Sequence, residues 1–320
     1  MSRARLIDIA RAAGVSMTTA SYVINQRSVA IPLETRQRIF RIAQDLNYLP
    51  NRMARNLAQK TSGLIGVLSP LNGSPFHARL VAELHAYAAE QSYKLVFESD
   101  VQEAGDLAAR QNAIERLLQW RVDGLILWSE DRIPVVDADC PIVSIGQVLA
   151  NAASPHHVTI DLYRSAQLAT RHLIEIGHSD LCFVGHSEHD PDLRWTAVCD
   201  EAAKAGLPIP TRLLAPSDIP QNEELPTAFV CISDVQALQV FRVLRDRGLK
   251  VPENVSLASC DETWAAANLD PPLTAVSIPF QNSTKRALDL LLARIDGREA
   301  PDAEIAAPVL TVRGSTGSPR

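Results

Sequence analysis

The sequence predicts an α/β protein. It opens with a three-helix head built on a helix-turn-helix, passes through a short linker, and continues as a body of two doubly wound parallel-sheet subdomains. Three observations carry that prediction. Two short helical patterns separated by Gly14 open the chain. Beyond residue 60, short apolar runs alternate with helical patterns, the arrangement that builds parallel sheets covered on both faces. Charge divides at the same place: residues 1–60 carry ten Lys and Arg against three Asp and Glu, net +7, in a chain of net charge −6, which leaves −13 on residues 61–320. A basic head on an acidic body suits a head that neutralises phosphates and a body that keeps away from them.

In the head, apolar residues recur at helical spacing through Leu6, Ile9, Ala10 and Ala13 before Gly14 interrupts. A second helix starts behind Ser16, whose side chain can accept from the free N–H groups of its first turn, and runs through Ala20, Val23 and Ile24. Two short helices on a tight glycine turn place the second in the major groove of DNA, unless the pair is an ordinary helical hairpin. LETRQRIFRIAQDLNYLPN reads as a third helix with Ile39, Phe40, Ala43 and Leu46 buried, ended by Leu49-Pro50. NRMARNLAQK is too short and polar to hold a helix alone.

In the body, strands are expected at LIGVLSP, KLVFES, VDGLILW, PIVSIG, HVTID, LCFVG, TAFVCIS and VSLASCD. Helices are expected at ARLVAELHAYAAEQSY, LAARQNAIERLLQW, SAQLATRHLIEIGH, a segment ending near Ala205, and VQALQVFRVLRDRG. An apolar content of 46% with 21% charged residues excludes a disordered chain. No 18-residue apolar run or signal-peptide core is present, so a cytoplasmic protein without membrane segments is expected. The five cysteines are odd in number, widely spaced and lack a C-x-x-C pair, which points to buried, reduced thiols.

The segments AGVSxxTxSxVIN, ETRxRI and LNYLPNRMARNLAQKTSGLIGV together resemble the lactose/galactose-repressor family of bacterial transcription regulators, in spacing and order, from about residue 5 to about residue 315. The resemblance implies a homodimer bound to a pseudo-palindromic operator in double-stranded DNA. It implies domains at 1–49 (helix-turn-helix), 50–61 (hinge helix, formed on DNA) and 62–320 (effector binding and dimerisation). The last divides into an N-subdomain of about 62–159 and 281–306 and a C-subdomain of about 160–280 and 307–320. The body is then similar to periplasmic sugar-binding proteins, with crossings near 157–161, 276–281 and 307–312 and a small-molecule effector in the cleft. TVRGSTGSPR holds no leucine heptad, so a dimer rather than a tetramer is expected.

Base readout falls on Met17, Thr18 and Tyr22, and phosphate contacts on Ser16, Thr19, Ser21 and Asn25. Tyr22 stands where an Arg is usual in the family, and Ile31-Pro32 where Val-Ser is usual, so operator sequence does not transfer from relatives. The hinge pattern falls on Asn51, Ala54 and Leu57, with Leu57 either the minor-groove wedge or a packing residue.

For the effector, the resemblance singles out Arg194 and Asp261 as polar grips, and Phe76 and Phe280 as aromatics at the ligand. A guanidinium fork grips vicinal hydroxyls or a carboxylate, and a carboxylate accepts from sugar hydroxyls. Either residue could instead serve a surface ion pair. Trp128 and Gly146 stand where the lactose repressor has polar groups, Ser233 replaces an Asn and Ile278 a Gln, so a small effector is expected: a sugar, sugar acid or sugar phosphate. Two alternatives stand beside it: a nucleobase-like metabolite, or a regulator without small-molecule control. No metal, cofactor or catalytic residue is expected. His186 and His189 lie three apart without a third ligand, no Gly-x-Ser-x-Gly elbow is present, and the two histidines suit an anionic effector at the cleft rim better. A transport protein would need a signal peptide and no basic head.

Overall fold

The computed structural model describes residues 4–25, 29–48, 61–70, 74–99, 107–128, 138–147, 156–185, 192–221, 224–299 and 307–319. They fall into two compact units, residues 1–62 and 63–320. No helix of the described residues is long and apolar enough to cross a membrane.

The first unit holds α1 (Leu6–Ala13), α2 (Met17–Ile24) and α3 (Leu33–Asp45). Ile9, Ala13, Val23, Ile39 and Ala43 form its core. Two expectations for α3 fail. Phe40 and Leu46 are exposed, because Ile39, Ile42 and Ala43 already fill the seam and Phe40 lies about 100° round the helix from Ile39. The helix also stops before Leu49-Pro50: Asn47 adopts a left-handed φ of 49°, which Asn tolerates, and Tyr48 N–H bonds back to Ala43 O at 2.8 Å.

The second unit contains two sheets. The first has five parallel strands in the order β2-β1-β3-β4-β5, namely Lys94–Glu98, Leu64–Leu68, Gly124–Trp128, Ile142–Gly146 and His157–Thr159. One face packs Ile65, Val67, Ile126 and Val143 against α4 (Pro75–Glu90) and α10 (Phe280–Ile295). The other packs Leu68, Leu125 and Leu127 against α5 (Leu107–Gln119). The second sheet has six strands in the order β11-β10-β9-β8-β6-β7: Val309–Thr311, Thr274–Ser277, Ser256–Ser259, Ala228–Cys231, Leu181–Val184 and Thr211–Leu213. Only β11 runs antiparallel. Leu181 and Phe183 face α6 (Leu162–Glu175) and α7 (Leu193–Lys204), and Cys182 and Val184 face α8 (Asp234–Asp246), the period-two alternation of a sheet buried on both sides.

The chain leaves the first sheet after β5, returns after β10 as α10, and rejoins the second sheet as β11. The segment 276–281, expected as a crossing, is divided between the end of β10 and the start of α10. Helix α10 is not among the helices expected from the sequence, although Phe280, Thr284, Ala287, Leu288 and Leu291 are buried at helical spacing. Helices α6 and α7 are tied by Glu201, which accepts from Gln167 (2.8 Å), Arg171 (2.9 Å) and Lys204 (2.7 Å). Burial works against its charge, but these three donors prevail and hold the carboxyl at about 2.

Candidate functional site

The head presents a capped helix. Gly14 takes φ 63°, a left-handed turn that a Cβ would strain, and so lets α2 follow α1 at once. Ser16 caps α2: its Oγ accepts from Thr19 N–H at 3.0 Å and lies 2.8 Å from Thr19 Oγ1. Ala20 and Val23 are buried, which turns the opposite face outward: Met17 is 56% exposed, and Ser16 and Thr18 are open beside it. Thr19, Ser21, Tyr22 and Asn25 are half-buried, and Asn25 Nδ2 donates to Ser21 Oγ at 3.2 Å. Helix α3 has Pro32 at its cap position and no side-chain cap bond. Arg36, which the sequence did not single out, instead ties the preceding loop by donating to Val29 O at 2.7 Å and Ile31 O at 3.4 Å. The hinge residues Asn51, Ala54 and Leu57 lie outside the described residues.

In the body, both sheets have a topological switch point, where strand order reverses and ligands settle beyond the carboxyl ends. In the first sheet it lies between β1 and β3, and β3 ends on Trp128. Phe76 packs edge-on against Trp128 (5.7 Å, 78°) and Phe280 (4.5 Å, 81°), and His77 against Trp128 (5.2 Å). Arg110 donates to the Trp128 carbonyl. Next to β3, Gly146 ends β4 with φ 134°. Its carbonyl accepts from Ile160 N–H (3.0 Å) and from His157 Nε2 (2.9 Å), while His157 Nδ1 meets Ser144 Oγ at 2.9 Å. Burial lowers the pKa of His157, so Nε2 donates and Nδ1 accepts. Phe280 departs from the expected role. A stacking residue needs an open face, and Phe280 is 0% exposed, closed in by Phe76 and by the Arg79 guanidinium 5.4 Å above its ring. Ile278 is likewise sealed in that core.

The second sheet switches between β6 and β8, and here the expected polar residues converge. Arg194, in the first turn of α7, donates to Ile232 O at the end of β8 (3.4 Å). Ser233 caps α8. Asp261, just beyond β9, is 4% exposed and accepts from Asp234 N–H at 2.9 Å. Asp234 is buried beside it, and its Oδ2 accepts from Thr263 N–H (2.7 Å) and Oγ1 (2.5 Å). Its Oδ1 has no hydrogen-bond partner among the described residues. Burial, then the Asp234 charge, push Asp261 up to about 7, with Arg194 opposing.

Sequence reasoning missed what aims Arg194. Asp192 Oδ1 accepts from the N–H groups of Arg194 (3.2 Å) and Trp195 (3.3 Å), while Oδ2 pairs with Arg212 at 2.6 Å. Arg212 lies over the rings of Trp195 (5.3 Å) and Phe183 (5.8 Å). Only the adjacency of β6 and β7 reveals this pairing. Replacing Arg212 by Gln leaves a buried carboxylate short of its charged partner. A loss of about 1–3 kcal/mol is expected in urea denaturation, and an unchanged midpoint would refute the pairing's importance.

Between the two walls lies an open cavity of 630 Å³, lined by Pro75, Ala78 and Arg79 from α4 and by Glu262, Thr263, Trp264, Ala267 and Ser277. His186 and His189 lie outside the described residues. The cysteines are all free thiols, with Cys182, Cys231 and Cys260 buried.

Residues 5–51 match the family described as bacterial regulatory proteins, lacI family, and residues 170–316 match the periplasmic binding protein-like domain. The HTH-type transcriptional repressor PurR of Vibrio parahaemolyticus serotype O3:K6 is 30% identical over 315 residues, 92% of this chain and 93% of that protein. PurR of Vibrio campbellii is 29% identical over 322 residues, again 92% and 93%. Among solved structures, the lac repressor dimer bound to operator and the anti-inducer ONPF superposes with a TM-score of 0.84 at 24% identity, over 99% of this chain and 100% of that one. The transcriptional regulator CelR–cellobiose complex gives 0.66 at 24%, over 98% and 100%. A single relationship thus runs through the capped helix pair and both sheets alike, and the chain belongs to the lacI family of bacterial regulatory proteins, regulators of transcription that act by binding DNA.

Proposed function

We propose that this regulator is a cytoplasmic homodimeric repressor without catalytic activity, whose hold on its operator is set by a small polar effector in the cleft between the two sheets. The carrying observation is the meeting of Arg194, Ser233 and Asp261 at the switch point of the second sheet, where no packing need explains a half-buried guanidinium beside a buried carboxyl. Met17, Thr18 and Tyr22 read bases, and Ser16, Thr19, Ser21 and Asn25 hold phosphates. Asn51, Ala54 and Leu57 form the hinge that folds on DNA. Effector binding changes the angle between the subdomains and hence the spacing of the two hinges in the dimer. By linkage, an effector that weakens operator binding binds the operator complex more weakly by the same factor.

The effector is sugar-like, and a structural neighbour in complex with cellobiose supports that class. A thermal-shift screen of the full chain against sugars, sugar acids, sugar phosphates and nucleobases tests the reading. A stabilising compound is expected whose effect disappears in Arg194→Ala and in Asp261→Ala and which changes affinity for DNA selected from a random pool. A compound that still stabilises both variants would place the effector elsewhere. No stabilisation by any compound would favour a regulator without small-molecule control.

A further inference from the structure

We infer that the mouth of the cleft is an anion subsite in which Arg79 receives the carboxylate or phosphate of an acidic sugar and Trp264 packs on the sugar ring. This rests on the effector reading above and narrows it, from sugars at large to acidic ones. Arg79 is exposed in the first turns of α4 and lines the cavity. Among the described residues it has no carboxylate partner. Its guanidinium lies over the Phe280 ring, 5.4 Å from the centroid. A cation laid on a ring face is held in place while its N–H edges stay free for an oxyanion, so the charge is pre-organised and unspent.

The other wall completes the chemistry. Trp264 is 74% exposed and lines the same cavity, with Pro75, Ala78 and Ala267 adding apolar surface. A large indole left open inside a cleft offers a flat platform for the C–H face of a sugar ring, whereas an isolated surface tryptophan would lack a facing wall. Among the described residues lining the cavity, Glu262 is the acidic one, and it is taken by Arg313, which removes most of its repulsion towards an incoming anion. The turn that leads from Glu262 into α9 (Trp264–Asn268) is fixed from below, because Thr263 donates twice to the buried Asp234. Arg79 thus shares the cavity with Glu262 and Thr263, the residues that directly follow Asp261. A ligand with an anionic end and a hydroxyl-bearing end can bridge Arg79 and Asp261 and hold the cleft closed.

Pairs of compounds test this on the full-length chain by titration calorimetry: gluconate, galacturonate and glucose 6-phosphate, each against its neutral parent sugar. At least one acid is expected to bind on the order of ten- to a hundred-fold more tightly than its parent, the worth of one charge-assisted contact. Arg79→Ala should erase that preference, Arg79→Lys should keep part of it, and Trp264→Ala should weaken acid and parent alike. Carboxylate and phosphate arms distinguish the two anion sources. Equal binding of acids and parents, or an acid preference that survives Arg79→Ala, overturns the subsite. If in those cases Arg194→Ala still abolishes binding, the effector cleft stands and only the subsite falls. Binding insensitive to all four substitutions, or none by any compound, removes both.

Discussion

Replacing Asp261 by Asn is expected to stabilise the protein at pH 8 by on the order of 2–4 kcal/mol, and by distinctly less at pH 5. Asp261 is buried, lies against Asp234, and has its carboxyl pushed up from 3.8 to about 7, burial being the larger cause and the Asp234 charge the next. Because the folded pKa is raised, folding favours the protonated form. The contribution is fully present below about 4, where folded and unfolded chains both hold the proton. It is lost as pH rises towards 7, since the unfolded chain releases its proton first, and the loss levels off once the folded chain has released its own. Asn mimics the neutral acid, and its Oδ1 still accepts from Asp234 N–H, so the substitution removes the penalty and keeps the bond. Urea denaturation of both proteins at pH 5 and pH 8 measures the difference, and groups common to both cancel. Equal differences at the two pH values, or a loss at pH 8, would show that the carboxyl is not held in this state. A gain in stability at the price of effector binding is what a residue kept for function should show.

The pairing behind that prediction was invisible in the chain. Asp234 and Asp261 are 27 residues apart and meet only because β8 and β9 run side by side in parallel. What could be read from sequence was local. Gly14 and Ser16 announce the turn and cap of α2 through backbone needs satisfied within a few residues, and the strands announce themselves as short apolar runs between helical patterns. Arg194, Ser233 and Asp261 were singled out by the family resemblance, and the loops that carry them follow strands of the second sheet, where switch-point chemistry collects. Reading failed where tertiary packing decides. Phe40 and Leu46 look like core and lie on the surface. Phe280 looks like a ligand platform and is sealed under Phe76 and Arg79. Arg79 itself has the pattern of any solvated helix arginine. Only the wall opposite, with Trp264 on it, distinguishes it from the others.

The same dependence on packing makes Gly185→Ala the substitution expected to cost most, on the order of 3–5 kcal/mol. Gly185 follows β6 at the switch point with φ 147°, a backbone region that L side chains rarely adopt, and its N–H is committed to Leu213 O at 2.9 Å. A methyl group there would overlap Ile232 Cβ and Cγ2. Ile232 cannot yield: the clash falls on its branched stem rather than a rotatable end, and its N–H is held by Val184 O at 2.9 Å. Since Ile232 O also accepts from Arg194, any relief of the clash displaces the pocket guanidinium, so effector affinity should fall with stability. Gly206 supplies the control. It too has a left-handed φ, 70°, but an added Cβ there meets nothing within 4 Å, so Gly206→Ala bears the backbone cost alone, about 1 kcal/mol. Thermal denaturation of the two variants should therefore separate them clearly, with Gly185→Ala losing several times more. Equal losses would mean that the strand end relaxes freely around Ile232, and the rigid switch point on which Arg194 is mounted would then have to be abandoned.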